Sequence, residues 1–115
     1  MATTPEAKVK QAVKALLKRH GAYVYMPVVM RFGAKTVDFL VCAYGQFVGI
    51  ETKRGYGEEP TPLQAKTLCD IAEAGGKTFV IHGTDDLGEL ASFLEYCKKL
   101  YTLATSTRRD AEDGQ

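Results

Sequence analysis

Cysteine and histidine are scarce in this sequence. Its 115 residues contain three cysteines and two histidines. Cys42, Cys69 and Cys97 are scattered, without the paired spacing of a metal site, and each falls among apolar residues of an expected strand or helix. An odd count with no framework points to reduced core thiols and an intracellular, cytoplasmic protein. Long apolar runs are missing too. None approaches the roughly 20 residues of a membrane span, so no membrane partner is expected. The first residues, Met1-Ala2-Thr3-Thr4-Pro5-Glu6, lack secretory-signal character. No Ser-His-Asp arrangement or cysteine nucleophile is evident. Gly55-x-Gly57 lacks the rest of a phosphate-cradling fingerprint, and no organic cofactor is expected.

Net charge is nearly absent, at +1, and by itself argues nothing about partners. Its distribution is informative. Residues 1–57 carry nine Lys/Arg against three acids, and residues 58–115 carry six against eleven. A basic N-terminal half fits a polyanion-binding face, and it fits equally a solvated helix followed by an acidic tail. At this length, with 45% hydrophobic residues, the chain is one domain with a real core.

The most informative stretch runs from Val37 to Lys53. It reads as two apolar strands joined by a tight turn, with Gly45-Gln46 as a two-residue loop of type II′. Asp38, Glu51 and Lys53 stand in or at the ends of these strands, where charge is costly unless paired or functional. With that loop, Tyr44 faces Phe47, Leu40 faces Glu51 and Asp38 faces Lys53. All three charged residues then project from one face, with Asp38 and Glu51 as diagonal neighbours. Two carboxylates so placed can share a divalent cation, and hard oxygen ligands suit Mg²⁺ or Mn²⁺. The opposite face carries Val37, Phe39, Val41, Val48 and Ile50. A sheet apolar on both faces should be covered on both by helices.

Val37-Asp38 followed across a hairpin by Glu51-Thr52-Lys53 resembles the PD-(D/E)xK nuclease signature. Pro62-Leu63-Gln64 and Pro5-Glu6, each opening a helix, are similar to the virus-type replication-repair nuclease (VRR-NUC) branch of that superfamily. The resemblance covers about residues 3–95. Val37 departs from it, standing where the family usually has Pro; that position is a strand entry and not a metal ligand.

The resemblance implies a restriction-endonuclease-like α/β fold with a four-stranded mixed sheet: an antiparallel hairpin, plus a parallel strand reached by a helical crossover. It implies a Mg²⁺-dependent endonuclease, with Mn²⁺ as a substitute, acting on DNA. Asp38, Glu51 and the Thr52 backbone carbonyl would be the metal ligands. Lys53 would stabilise the reacting phosphate or orient the water. Gln64 would assist near the water or phosphate, and Glu6 would reach the metal site through water. Stand-alone, phage-type members imply a homodimer acting on branched DNA such as a four-way junction. Flaps, nicks or linear duplex are alternative substrates, and a non-catalytic nucleic-acid-binding module is the alternative class.

The remaining chain reads in order. Thr3 and Glu6 have capping-box spacing at the start of a helix that stops at Gly21, with the apolar stripe Val9, Val13, Leu16 and Leu17. Glu6 lies on that stripe, so a capping role and a site role both remain open. Tyr23 to Val29 is a first strand, in which Pro27 indicates an edge. Arg31 and Lys35, in the turn before the hairpin, are candidate phosphate contacts or ordinary solvated loop residues. Tyr56, in the loop after Lys53, either stacks on a base or shields the loop. Thr61 and Gln64 also have capping-box spacing. Lys77 to His82 forms the crossover strand, and His82 reads as structural. Gly83 to Asp86 caps a last helix. One domain over residues 1–103 is expected, followed by a frayed tail over 104–115.

Overall fold

The structure, a computed structural model, is described for residues 4–28 and 36–113, with side chains to residue 107. Its elements are α1 (Pro5–Arg19), β1 (Tyr23–Tyr25), β2 (Phe39–Ala43), β3 (Gln46–Thr52), α2 (Pro62–Glu73), β4 (Lys77–Ile81) and α3 (Gly88–Asp113). The strands form one sheet in the order β1-β2-β3-β4. β1 and β3 run antiparallel to β2, and β4 runs parallel to β3. This is the mixed α/β sheet that the sequence led us to expect.

Helix α1 starts one residue later than its expected cap. Thr4, not Thr3, is the cap, and its hydroxyl accepts from the Ala7 amide at 3.1 Å. Pro5 takes the first helical position, where no amide hydrogen is needed. Glu6 therefore stands too early for a capping box, and its carboxylate is available for other contacts. Thr3 lies outside the described residues. The helix ends at His20 and a left-handed Gly21 (φ 65°).

The buried stripe of α1 and Leu90 and Leu94 of α3 pack with Phe39, Val41, Val48 and Ile50 to form the core. Helix α2 covers the other face of the sheet. A Cβ at Gly49 would come within 2.6 Å of the Ile71 Cδ1, so the missing side chain is what lets α2 approach β3 closely.

The hairpin turn differs from expectation. Its loop is Tyr44-Gly45, with positive φ at both residues (53° and 79°), as a type I′ turn requires. Tyrosine rarely adopts such a φ without help. Here the Tyr44 hydroxyl meets His20 Nδ1 at 2.8 Å, and its ring packs edge-on to His20 and against Tyr101. Tertiary contacts thus override the preference for glycine at the first central position. Pairing moves accordingly: Leu40 faces Gly49, not Glu51, and Phe39 faces Ile50. The shift is by two residues, so the faces are preserved. The ladder ends at Phe39 and Ile50, and Asp38, expected opposite Lys53, lies in the bend just before β2.

Other boundaries also moved. β1 ends at Tyr25, shortly before Pro27; Val29, Arg31 and Lys35 lie outside the described residues. Gly83 to Asp86 forms a turn and not a helix cap, because the Asp86 carboxylate bonds back to His82; α3 begins at Gly88. Helix α3 then continues to Asp113, through residues expected to fray. Leu103 and Ala104 sustain it, and the Thr105 hydroxyl donates to the Tyr101 carbonyl at 2.8 Å. Of the thiols, Cys97 is buried, whereas Cys42 and Cys69 are exposed. Cys42 lies on the α2 side of the sheet beyond the helix's cover, and Cys69 points outward from α2. Among the described residues no helix is long and apolar enough to cross a membrane.

Candidate active site

Three polar residues are buried among the described ones, and all three lie at the open end of the hairpin: Asp38 (2% exposed), Glu51 (1%) and Thr52 (1%). β3 carries Glu51 and Thr52 out to the carboxyl end of the β3–β4 parallel pair, where open α/β sheets place their ligand crevices. Asp38 arrives from a bend immediately before β2. Burying carboxylates is costly, and the surrounding donors show how this site offsets the cost.

Asp38 Oδ2 accepts two hydrogen bonds from one residue: the Thr52 amide at 2.8 Å and the Thr52 hydroxyl at 2.7 Å. Its other oxygen, Oδ1, lies 3.4 Å from Lys10 Nζ. Lys10 also reaches Glu6 Oε1 at 3.5 Å, one helical turn back along α1. Glu51 Oε2 lies 3.9 Å from Lys53 Nζ. Lys53 follows the end of β3, and its amide bonds to the Ile81 carbonyl at 2.8 Å, which continues the β4 pairing and fixes where the side chain departs.

Gln64 combines its two expected roles. It closes the capping box of α2, with its Oε1 accepting from the Thr61 amide at 2.9 Å and its own amide donating to the Thr61 hydroxyl at 3.3 Å. The same Oε1 accepts from Lys53 Nζ at 3.0 Å. The cap therefore positions the oxygen that positions the lysine.

Of the expected site residues, Asp38, Glu51, Lys53, Gln64 and Thr52 converge here. Glu6 connects through Lys10, and its side chain is 45% exposed. Lys10 and the Thr52 hydroxyl are the site groups that the sequence reading passed over. The signal for Lys10 was its i,i+4 spacing from Glu6. Thr52 gave no such signal, since strand alternation turns it away from Glu51; only the bend before β2 lets Asp38 reach it.

Both charge signs alternate through the cluster, so neither carboxylate stands alone in low dielectric. Among the described residues no three His, Cys, Asp or Glu side chains converge as metal ligands. Any ion held here by protein would have two carboxylates and main-chain oxygen.

No protein-family model and no curated protein sequence matches the chain. A solved structure described as a VRR_NUC domain does match, with a TM-score of 0.63 at 23% identity, covering 76% of this chain and 97% of that one. The match extends over nearly all of the neighbour's length, and this chain has the fold of a VRR-NUC domain.

Proposed function

We propose that the chain is a metal-dependent endodeoxyribonuclease. The observation that carries this reading is the buried carboxylates Asp38, in the bend before β2, and Glu51, near the end of the neighbouring β3, in a VRR-NUC fold, with Lys53 Nζ 3.9 Å from Glu51. A purely structural ion cluster would gain little from two nearly inaccessible carboxylates at the rim of a sheet.

The donor set fits Mg²⁺, with Mn²⁺ as a substitute. Asp38, Glu51 and the Thr52 carbonyl are hard oxygens, and so few protein ligands leave the rest of an octahedral shell to water and phosphate, as Mg²⁺ prefers. When bound, the ion would lower the pKa of a coordinated water and polarise the phosphate. The chain's own residues do the remainder. Thr52 fixes the Asp38 carboxylate. Lys10 offsets its charge while the site is empty of substrate. Lys53, held by Gln64, supplies positive charge where the phosphate becomes more negative.

The substrate we favour is branched DNA such as a four-way junction, cut by a homodimer. Two symmetric cuts call for two centres related by a two-fold axis. Exposed apolar side chains offer surface for assembly: Tyr23, Tyr25 and Val28 at the β1 edge, and Tyr96, Leu100 and Leu103 on the projecting part of α3. Lys8, Lys14, Lys18 and Arg19 of α1 supply the charge that phosphate contacts need.

One panel tests the proposal: four-way junction, flap, nicked and linear DNA, each with Mg²⁺, Mn²⁺ or EDTA, alongside light scattering at micromolar protein. Metal-dependent cutting of the junction by a dimer is expected. Binding without cleavage under every condition would make the chain a DNA-binding module. A monomer that cuts linear duplex as fast as a junction would make it a general endonuclease.

A further inference from the structure

Beside the carboxylate site lies a cavity of about 310 Å³. Its walls come from the first turns of α1 (Pro5, Lys8), the loop after Lys53 (Arg54, Tyr56) and the turn after β4 (His82, Asp85). Arg54 directly follows Lys53, and His82 directly follows Ile81, which pairs with Thr52. The cavity therefore opens at the same ends of β3 and β4 as the site itself.

The aromatic wall is built in a definite way. Tyr56 and His82 stack with ring centroids 5.4 Å apart and planes within 15° of parallel. Both rings are tethered from the same turn. The Tyr56 hydroxyl donates to Asp85 Oδ1 at 3.2 Å, and Asp86 Oδ2 accepts from the His82 amide at 2.9 Å and lies 3.2 Å from its Nδ1. A Cβ at Gly83 would come within 2.7 Å of the same Asp85 oxygen, so glycine there makes room for the carboxylate that holds the phenol. Desolvation, and then the Asp85 bond and charge, hold the Tyr56 phenol above its usual range, so it stays a neutral donor. Yet Tyr56 is 61% exposed. His82 occupies one ring face, and the other is left for a ligand.

We propose that this cavity takes one unpaired nucleobase of a DNA strand, stacked on the free face of Tyr56, next to the bond that the carboxylate site cuts. The proposal rests on the nuclease reading and specifies what that site selects. A flat aromatic face, tethered and exposed, suits any base, because every base has a π face. Charge sets the orientation. Asp85 repels phosphate from one wall, while Lys8 and Arg54 (the latter paired to Glu58) line the other. The sugar-phosphate chain therefore runs on the Lys8 and Arg54 side, with the base directed at Tyr56. A fully paired duplex has no base to offer, whereas a strand that opens at a branch does.

The chain contains no tryptophan, so Tyr56→Trp introduces a single reporter. In EDTA, a single-stranded oligothymidylate of about ten nucleotides should quench its emission, and a blunt duplex of equal length should not. Tyr56→Ala should weaken binding of the labelled oligonucleotide about tenfold by anisotropy, while Tyr56→Phe stays within about twofold. Oligonucleotide binding without quenching, quenching by duplex alike, wild-type affinity in Tyr56→Ala, or no binding at all would each overturn the proposal. If Tyr56→Ala fails to fold, the Tyr56→Trp measurement decides. Because no cleavage is involved, quenching in a chain that cuts no DNA would sink the nuclease reading alone, and cleavage without quenching would sink only this one.

Discussion

The two ends of the β2–β3 hairpin solve opposite problems. At the turn, Tyr44 adopts a strained positive φ, and an aromatic cluster with His20 and Tyr101 holds it there. At the open end, Asp38 and Glu51 are buried at electrostatic cost, and Thr52, Lys10 and Lys53 surround them. The first end spends strain on register; the second spends desolvation on a buried charge cluster, to which we assign the proposed chemistry. They are coupled, because the turn decides which residues face each other at the other end. A one-residue slip would have moved every side chain to the opposite face. The shift observed is by two, so each paired side chain keeps its expected face.

The largest expected effects belong to the open end and should leave the fold alone. Asp38→Asn keeps an oxygen for both Thr52 donors but removes the anion, and cleavage should fall on the order of 10³-fold. Lys53→Met should lower kcat by about 10²-fold with little change in DNA affinity, since its charge acts mainly on the transition state. Far-UV circular dichroism should match wild type in both variants. Cutting at wild-type rates by either would remove the chemical role assigned to this end.

At the turn the pattern should reverse. Tyr44→Ala loses the ring packing and the His20 bond while keeping the unfavourable φ, and should destabilise by about 2–3 kcal/mol in urea titrations. Activity per folded molecule should hold. Unchanged stability would show that the aromatic cluster does not secure the turn.

Thr52→Val probes the middle of the scale. It removes one of the two donors to Asp38 Oδ2 and retains the amide. A loss of about 1 kcal/mol is expected, with roughly tenfold slower cleavage from a less constrained carboxylate. A stability loss with no change in rate would make this hydrogen bond purely structural.

How much of this was legible follows from where each signal resides. Strand and helix order could be read, because apolar periodicity and the Pro-Glu and Pro-Leu-Gln helix starts are local. The placement of Glu51 and Lys53 on one face could also be read, because side-chain alternation depends only on parity, whereas Asp38 lies in the bend before β2 and its carboxylate meets Thr52, the residue between them. The turn type did not, because Tyr44 is held by His20 and Tyr101, which are far away in sequence. The start of α1 was misplaced because two adjacent threonines precede Pro5, and only the proline's demand for the first helical position separates them. The length of α3 was missed because its outer turns are polar, and polarity alone does not distinguish a solvated helix from a frayed tail. Lys10 was overlooked because a lysine on a basic helix looks like solvated surface until a buried carboxylate is found beside it.

That last pair of residues yields the smallest expected effect and the finest test of the comparison. Glu6 and Lys10 sit on one edge of α1, 3.5 Å apart, but only Lys10 reaches Asp38. Glu6 is 45% exposed, and an exposed i,i+4 pair contributes at most about 0.5 kcal/mol. Glu6→Gln should therefore leave stability and cleavage nearly unchanged, the rate within about twofold. Lys10→Met, in contrast, removes positive charge beside a carboxylate that water cannot reach. The metal-free protein should lose about 1–2 kcal/mol, and added Mg²⁺ should restore more stability to this variant than to wild type, since the ion replaces the missing charge. Thermal melts with and without Mg²⁺ check both variants. A large rate loss in Glu6→Gln with Lys10→Met silent would place Glu6 in the metal's water shell and leave Lys10 as surface charge.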